Sequence, residues 1–269
     1  MMIPLKGEQD ADFPSLNVAL ILVLVTFLLM LVAGLLSLAL RGNTVVLLSE
    51  GLVIVPAWLY VRHSGYSARE VFRLRKIPAQ AVWAAGLVGV GATVLGDELD
   101  RFVQTLFPMP EEIAKGVEQM LRVHSWSDGV VVFVAIVGLA GLLEEMLFRG
   151  LLLGALERTF DVTRAVMLSA LLFAFFHLNP WTAVQILVFG VVLGVLAWRS
   201  NSVYPAALVH GMNNGFEFAV LNLGEAKLSW LYFRGHVSPV ALLAAGVLLY
   251  YGFRLFYQVF EREDVDGRG

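Results

Sequence analysis

The residues of this chain that are best suited to chemistry lie inside apolar segments. Glu144, Glu145 and Arg149 fall within six residues of one such segment. Each ionisable side chain at mid-bilayer costs about 2.5–3.5 kcal/mol on insertion scales, which makes a functional role the first hypothesis. Glu145 and Arg149 stand four residues apart, so the spacing predicts an ion pair on one helix face. Glu144 lies about 100° round the helix and is left to point elsewhere.

Two later apolar segments each carry polar residues at helical spacing. Phe173 and His177 share a face of the first segment, which Pro180 limits shortly afterwards. His210 and Asn214 stand four residues apart on the second, so both can face one cavity. Taken singly, each set is also compatible with hydrogen bonds that only join helices.

The combination of these residues favours hydrolysis. A buried carboxylate, two imidazoles and a carboxamide on three helices form a hydrolytic set. Glu144 can take a proton from water and His177 can help to hold that water. His210 and Asn214 can donate hydrogen bonds to the oxyanion on an attacked carbonyl group. Glu217 falls on roughly the same helix face, either as a supporting group or as a contact to water and headgroups.

The elements that must position these residues are membrane helices. Of the 269 residues of the chain, 58% are hydrophobic, which is well above the roughly 45–50% apolar content of soluble domains. The mean hydropathy is +0.76. This composition predicts a single all-α domain over residues 1–269, a polytopic helix bundle in the cell membrane. Apolar segments suggest about eight spans, with seven or nine as alternatives. They cover roughly 16–40, 44–61, 81–97, 129–156, 163–177, 181–198, 203–222 and 238–257.

Basic residues predict the topology of this bundle. With eight spans and a cytoplasmic N-terminus, 12 Lys and Arg residues fall at cytoplasmic ends and 6 at outer ends. The positive-inside rule favours this arrangement, with both termini in the cytoplasm. The net charge of −3 does not suggest nucleic-acid binding, and the absence of cysteine excludes disulfides, cysteine nucleophiles and cysteine-bound zinc.

Two connections have an amphipathic character. Residues 67–80 interleave basic and apolar side chains, which is typical of a segment at a membrane surface or of a plain basic loop. Residues 111–126 are expected to cover the site from the opposite side.

The motifs resemble those of the CPBP family, the CAAX-protease and bacteriocin-processing (Abi) membrane peptidases. Glu-Glu-x-x-x-Arg is matched by Glu144, Glu145 and Arg149, and Phe-x-x-x-His by Phe173 and His177. His-x-x-x-Asn is matched by His210 and Asn214. The order of the motifs also agrees, and the resemblance covers about residues 129–215.

The resemblance implies an eight-helix intramembrane endopeptidase that acts on a peptide or protein substrate at the lipid bilayer. It implies that Glu144 and His177 activate water, and that His210 and Asn214 form the oxyanion hole. By the same analogy, Glu145 and Arg149 order the site or the substrate. The implied reactions are removal of three residues after a prenylated cysteine, or processing of bacteriocins and peptide signals.

The motifs of other intramembrane proteases are absent from this sequence. The sequence has no Gly-x-Ser-Gly, Gly-x-Gly-Asp or His-Glu-x-x-His motif. A zinc site built from Glu144, His177 and His210 stays open as an alternative. We predict catalysis without a cofactor or metal, because those three ligands would leave no base for the water. A non-catalytic immunity or scaffold protein and a proton-coupled transporter are the alternatives outside enzymes.

Overall fold

The computed structural model describes residues 12–39 and 49–265, and this part of the chain is almost entirely helical. The helices, numbered in chain order, are α1 (Leu16–Ala39), α2 (Val55–His63), α3 (Ala68–Val71), α4 (Ala79–Leu106), α5 (Glu111–Leu121), α6 (Trp126–Glu157), α7 (Val162–Phe176), α8 (Ala183–Ser200), α9 (Tyr204–Leu223) and α10 (Pro239–Val265). A short 3-10 helix, Glu225–Leu228, follows α9. An antiparallel hairpin of β1 (Tyr232–Phe233) and β2 (His236–Val237) then leads into α10.

The protein is a multi-pass membrane helix bundle, as its composition predicts. Within residues 12–39 and 49–265, five helices are long and apolar enough to cross a bilayer: α1, α4, α6, α8 and α10. Helix α7 is apolar but shorter. The predicted span over 44–61 lies partly outside the described residues, and its described helix is α2. The number of eight spans and the cytoplasmic placement of both termini stay predictions.

Helix α6 is the central element of the bundle. Its residues 146–156 are all buried, although the sequence there is as apolar as that of a lipid-facing helix. Two stretches of π-helix, Val134–Ala140 and Met146–Leu152, flank a single α-helical turn, Gly141–Glu145. Wider turns of this kind occur frequently at functional sites. Here they bracket the turn that carries Glu144 and Glu145.

The basic connection over residues 67–80 packs into the protein. Val71 and Phe72 have no exposed surface, and a Cβ on Gly150 of α6 would lie 2.7 Å from the Cα of Phe72. Arg73 forms an ion pair of 2.5 Å with Glu157 at the end of α6. Val71 and Phe72 are therefore buried inside the protein, and Phe72 and Arg73 contact the C-terminal part of α6.

Candidate active site

A cavity of about 460 Å³ lies between α5, α6, α7, α8 and α9. Its polar lining consists of Glu50, Glu144, His177, Asn179, Thr182, Gln185, His210, Asn213, Asn214 and Glu217. The four residues that the sequence predicts as catalytic are all in this set. Met109, Val117 and Leu121, from α5 and the turn before it, line the cavity too, so the amphipathic connection covers the site as expected.

Glu144 and His177 face each other across part of this cavity. The Nε2 atom of His177 lies 3.9 Å from Oε2 of Glu144. The Nδ1 atom of His177 lies 2.8 Å from the carbonyl oxygen of Phe173. Because a carbonyl oxygen only accepts, Nδ1 carries the proton of this bond. In the neutral ring, Nε2 is then the unprotonated nitrogen, and it is the nitrogen nearer to Glu144.

The end of α7 presents the His177 ring to the cavity. The helix stops at Phe176, and His177 is its C-cap residue. Leu178 follows with a φ of 49°, in the left-handed region that non-glycine residues rarely adopt. Asn179 then accepts hydrogen bonds from the backbone N–H groups of Trp181 and Thr182, which turns the chain into α8. Such uncommon backbone geometry concentrates at functional sites.

Glu145 lies behind Glu144 in a fully buried ion cluster. Its Oε1 atom accepts from Arg149 at 3.0 Å and lies 2.9 Å from Nδ1 of His210. The predicted pairing of Arg149 with Glu145 is therefore present. Arg149 also donates to the carbonyl of Gly190 at 3.1 Å, and its guanidinium lies 4.0 Å from the centre of the Phe173 ring. The motif of Glu145 and Arg149 thus contacts the other two motifs, through His210 and through Phe173.

His210 is held by Glu145 rather than by Glu144. The sequence placed His210 on the cavity face but gave no partner for it. Since Arg149 donates to the same carboxylate oxygen, that oxygen acts as an acceptor and His210 donates through Nδ1–H. Nε2 of His210 is then the nitrogen left for a ligand in the cavity.

Close backbone contact between α6 and α9 fixes the position of His210 and Asn214 relative to α6. The Nδ2 group of Asn214 donates to the carbonyl of Ile136, in the first π-helical stretch, at 2.7 Å. A Cβ on Gly211 would lie only 2.8 Å from the carbonyl oxygen of Val137. Only glycine permits this approach, so the residue after His210 controls the distance between the two helices.

Five polar residues of the cavity were not predicted for the site from the sequence: Glu50, Asn179, Thr182, Gln185 and Asn213. Glu50 lies close enough to Glu144 for the two carboxylates to interact. Each is a polar residue in or beside an apolar segment, which is the signal that located the four predicted residues. Asn213 also donates to Glu217 at 2.8 Å, so Glu217 faces the cavity with its carboxylate fixed.

The geometry of the histidines bears on the zinc alternative. His177 is paired with Glu144, and His210 with Glu145. In the described part of the chain, no group of three His, Asp or Glu side chains is arranged to hold a metal ion. No step below is routed through a metal, and the zinc alternative from Glu144, His177 and His210 is tested by chelation. Catalysis without a metal stays a prediction.

The fold and the site define the class of the protein. A membrane helix bundle that encloses a carboxylate, two imidazoles and a carboxamide in one cavity has the parts of an intramembrane hydrolase. The family model described as type II CAAX prenyl endopeptidase Rce1-like matches residues 126–216, which comprise α6, α7, α8 and most of α9. This match over residues 126–216 supports the resemblance to the CPBP-family intramembrane peptidases. It also supports a CAAX-type intramembrane endopeptidase as the general function. Comparison with curated proteins and with solved structures gave no match.

Proposed function

We propose that the protein hydrolyses a peptide bond of a membrane-associated or peptide substrate at the cell membrane. In this proposal Glu144 and His177 activate water, while His210 and Asn214 bind the oxyanion. The observation that carries it is the approach of Glu144 to His177 at 3.9 Å, in the same cavity as His210 and Asn214.

The separation of Glu144 and His177 suits one shared water molecule. Two hydrogen bonds of about 2.8 Å from one water span this gap at an angle of about 90°. The Oε2 atom of Glu144 has no hydrogen-bond partner among the described residues, so it is available as the acceptor. As the water oxygen attacks the carbonyl carbon, its proton passes to Glu144. Glu144 then returns that proton to the amine nitrogen as the C–N bond breaks.

The oxyanion is stabilised from the opposite wall. Asn214 carries two protons on Nδ2, of which one is donated to Ile136 and the second serves the oxyanion. His210 serves it through Nε2–H, which requires a doubly protonated ring because Nδ1–H already donates to Glu145. The carboxylate of Glu145, which also accepts a hydrogen bond from Arg149, stabilises that imidazolium. Donors fixed in a dry site act strongly on developing charge.

The test is cleavage of a quenched fluorescent peptide library by purified protein in lipid nanodiscs. Glu144→Gln keeps the shape of the side chain and removes the base, so cleavage should fall by at least about 100-fold. Glu118→Gln makes the same change on a half-buried residue of α5 that does not line the cavity, and it should leave the rate unchanged. Full activity of Glu144→Gln would exclude this mechanism. A protein that binds peptides and cleaves none would instead fit a scaffold or immunity role.

A further inference from the structure

Helix α5 covers the catalytic cavity with only one narrow face. Its Val117 and Leu121 line the cavity, together with Met109 from the turn before it. Val117 is nevertheless 44% exposed and Ile113 is 41% exposed, and most other described side chains of α5 are exposed as well. An element that buries so little apolar surface separates from the rest of the fold at a low cost in free energy.

The charged side chains of α5 pair with one another. Lys115 forms an ion pair of 3.0 Å with Glu111, and Arg122, directly after the helix, pairs with Glu118. These ion pairs would move with the helix, so they do not hold it on the cavity. The helix is amphipathic, and such a helix is also stable on a lipid surface. Its apolar face therefore has a second place to lie when it leaves the cavity.

Asn222 of α9 ties the C-terminal end of α5 to the bundle. Its Oδ1 atom accepts from the backbone N–H of Val123 at 2.9 Å. Its Nδ2 group donates to the carbonyl oxygens of Leu121 at 3.3 Å and of Phe218 at 3.0 Å. Both Nδ2 protons are then engaged, so this one side chain joins the connection between α5 and α6 to α9.

The two ends of α5 differ in their freedom to move. At the first end, the backbone N–H of Met109 donates to Gln104 of α4 at 2.9 Å. Met109 stands between two prolines, whose fixed φ stiffens the chain. At the second end, an apolar groove of about 670 Å³ lies beside residues 123–126, and Phe218 lines both this groove and the catalytic cavity. Movement at the Asn222 end would therefore open the cavity toward the groove.

The closed position of α5 leaves little access to the proposed catalytic groups. Glu144 is 8% exposed and His210 is 5% exposed, whereas a substrate chain must reach both. We propose that α5 is a lid that opens at Asn222 to admit the substrate, and that Asn222 is the positioning residue that sets the closed state. This inference rests on the proposed function, because the lid covers the cavity in which cleavage is proposed. Closure over the substrate then keeps bulk water from the reaction.

A reducible crosslink at the anchor tests the lid. The chain contains no cysteine, so Val123→Cys and Asn222→Cys introduce two thiols that a short bis-methanethiosulfonate joins. Both positions line the groove and neither lines the catalytic cavity, so the linker leaves the cavity empty. Crosslinking should lower the cleavage rate of the fluorescent peptide by at least about tenfold, and reduction should restore it.

Two controls separate the tether from its side effects. The same variant capped with methyl methanethiosulfonate carries added bulk at both thiols without a tether, and it should keep its rate. Crosslinked Glu111→Cys/Lys115→Cys bridges two positions within α5, which leaves the lid free to move, and it should keep its rate as well.

The second readout is the association rate of a labelled peptide with the Glu144→Gln variant, which binds without cleavage. Each hydrogen bond of Asn222 favours the closed state about fivefold. Adding Asn222→Ala should therefore speed association about three- to tenfold, whereas damage to the fold would not. Gln119→Ala removes an amide from an exposed position of α5 and should leave the association rate unchanged.

The outcomes distinguish the lid from the peptidase. A cleavage rate unaffected by the crosslink, a loss that reduction does not reverse, or no faster association with Asn222→Ala overturns the lid and leaves the peptidase. Association that the crosslink slows, together with no cleavage by the wild-type protein, supports the lid and overturns the proposed function.

Discussion

Replacing Arg149 by alanine should lower the stability of the fold as well as the activity. Arg149 and Glu145 have no exposed side-chain surface, and their ion pair of 3.0 Å is closed off from solvent. Removal of one partner from such a pair costs about 3–5 kcal/mol, because the remaining charge stays buried. The hydrogen bond to Gly190 and the contact with the Phe173 ring are lost as well, so the upper half of this range is expected.

Two further variants serve as controls for this prediction. Arg158→Ala, directly after the same helix, also removes an arginine that donates to a backbone carbonyl and lies over a phenylalanine ring, but Arg158 is exposed. It should cost only about 1 kcal/mol. Glu144→Ala removes a carboxylate whose described polar contact is His177 at 3.9 Å. It should abolish cleavage with little change in stability.

The assay is denaturant unfolding in mixed micelles, followed by tryptophan fluorescence, together with the cleavage rate of each variant. Adding Glu145→Gln to Arg149→Ala removes the buried carboxylate that has lost its arginine and should restore about 2 kcal/mol, although His210 then loses its partner. The reasoning is refuted if Arg149→Ala is no less stable than Arg158→Ala, or if the double variant is less stable than Arg149→Ala alone.

Three further predictions concern the site. Asn214→Ala should lower kcat about 10²–10³-fold with little change in KM, because it removes a donor used mainly in the transition state; an unchanged kcat with a raised KM would assign Asn214 to substrate binding. Gly211→Ala should separate α9 from α6, since its Cβ would lie 2.8 Å from a backbone oxygen, and should cost about 1–3 kcal/mol with at least a tenfold loss of rate. Gly215→Ala, whose Cβ would make an ordinary 3.7 Å contact with Val137, is its control. Exhaustive chelation should leave the cleavage rate unchanged, whereas stoichiometric zinc whose removal and return switch the activity would make Glu144 and the two histidines ligands.

The sequence by itself determined the membrane bundle and the local pairs within each helix. Hydropathy over about 20 residues reports a span without knowledge of its neighbours, and α4, α6, α8 and α10 fall close to the predicted segments. The pairing of Glu145 with Arg149 follows in the same way from helical spacing. Three motifs in order also indicated the CPBP family.

Helical spacing in the sequence does not predict the contacts between helices. The bond from His210 to Glu145 joins residues 65 positions apart, and that between Arg149 and Gly190 joins residues 41 apart. A helical pattern gives the face on which a side chain lies but not the position of one helix along the axis of its neighbour. That position depends on close contacts such as Gly211 against Val137.

The tertiary structure also decided which polar residues share the cavity. Glu50 and Gln185 carry no motif, and the basic connection before α4 gives no sign in its composition that Val71 and Phe72 pack on Gly150. In an apolar chain, lipid-facing and core-facing segments have similar compositions, since lipid tails are as apolar as leucine. Only the packing of the helices therefore decides which residues are buried inside the protein. It also decides which charged residues surround the proposed catalytic groups.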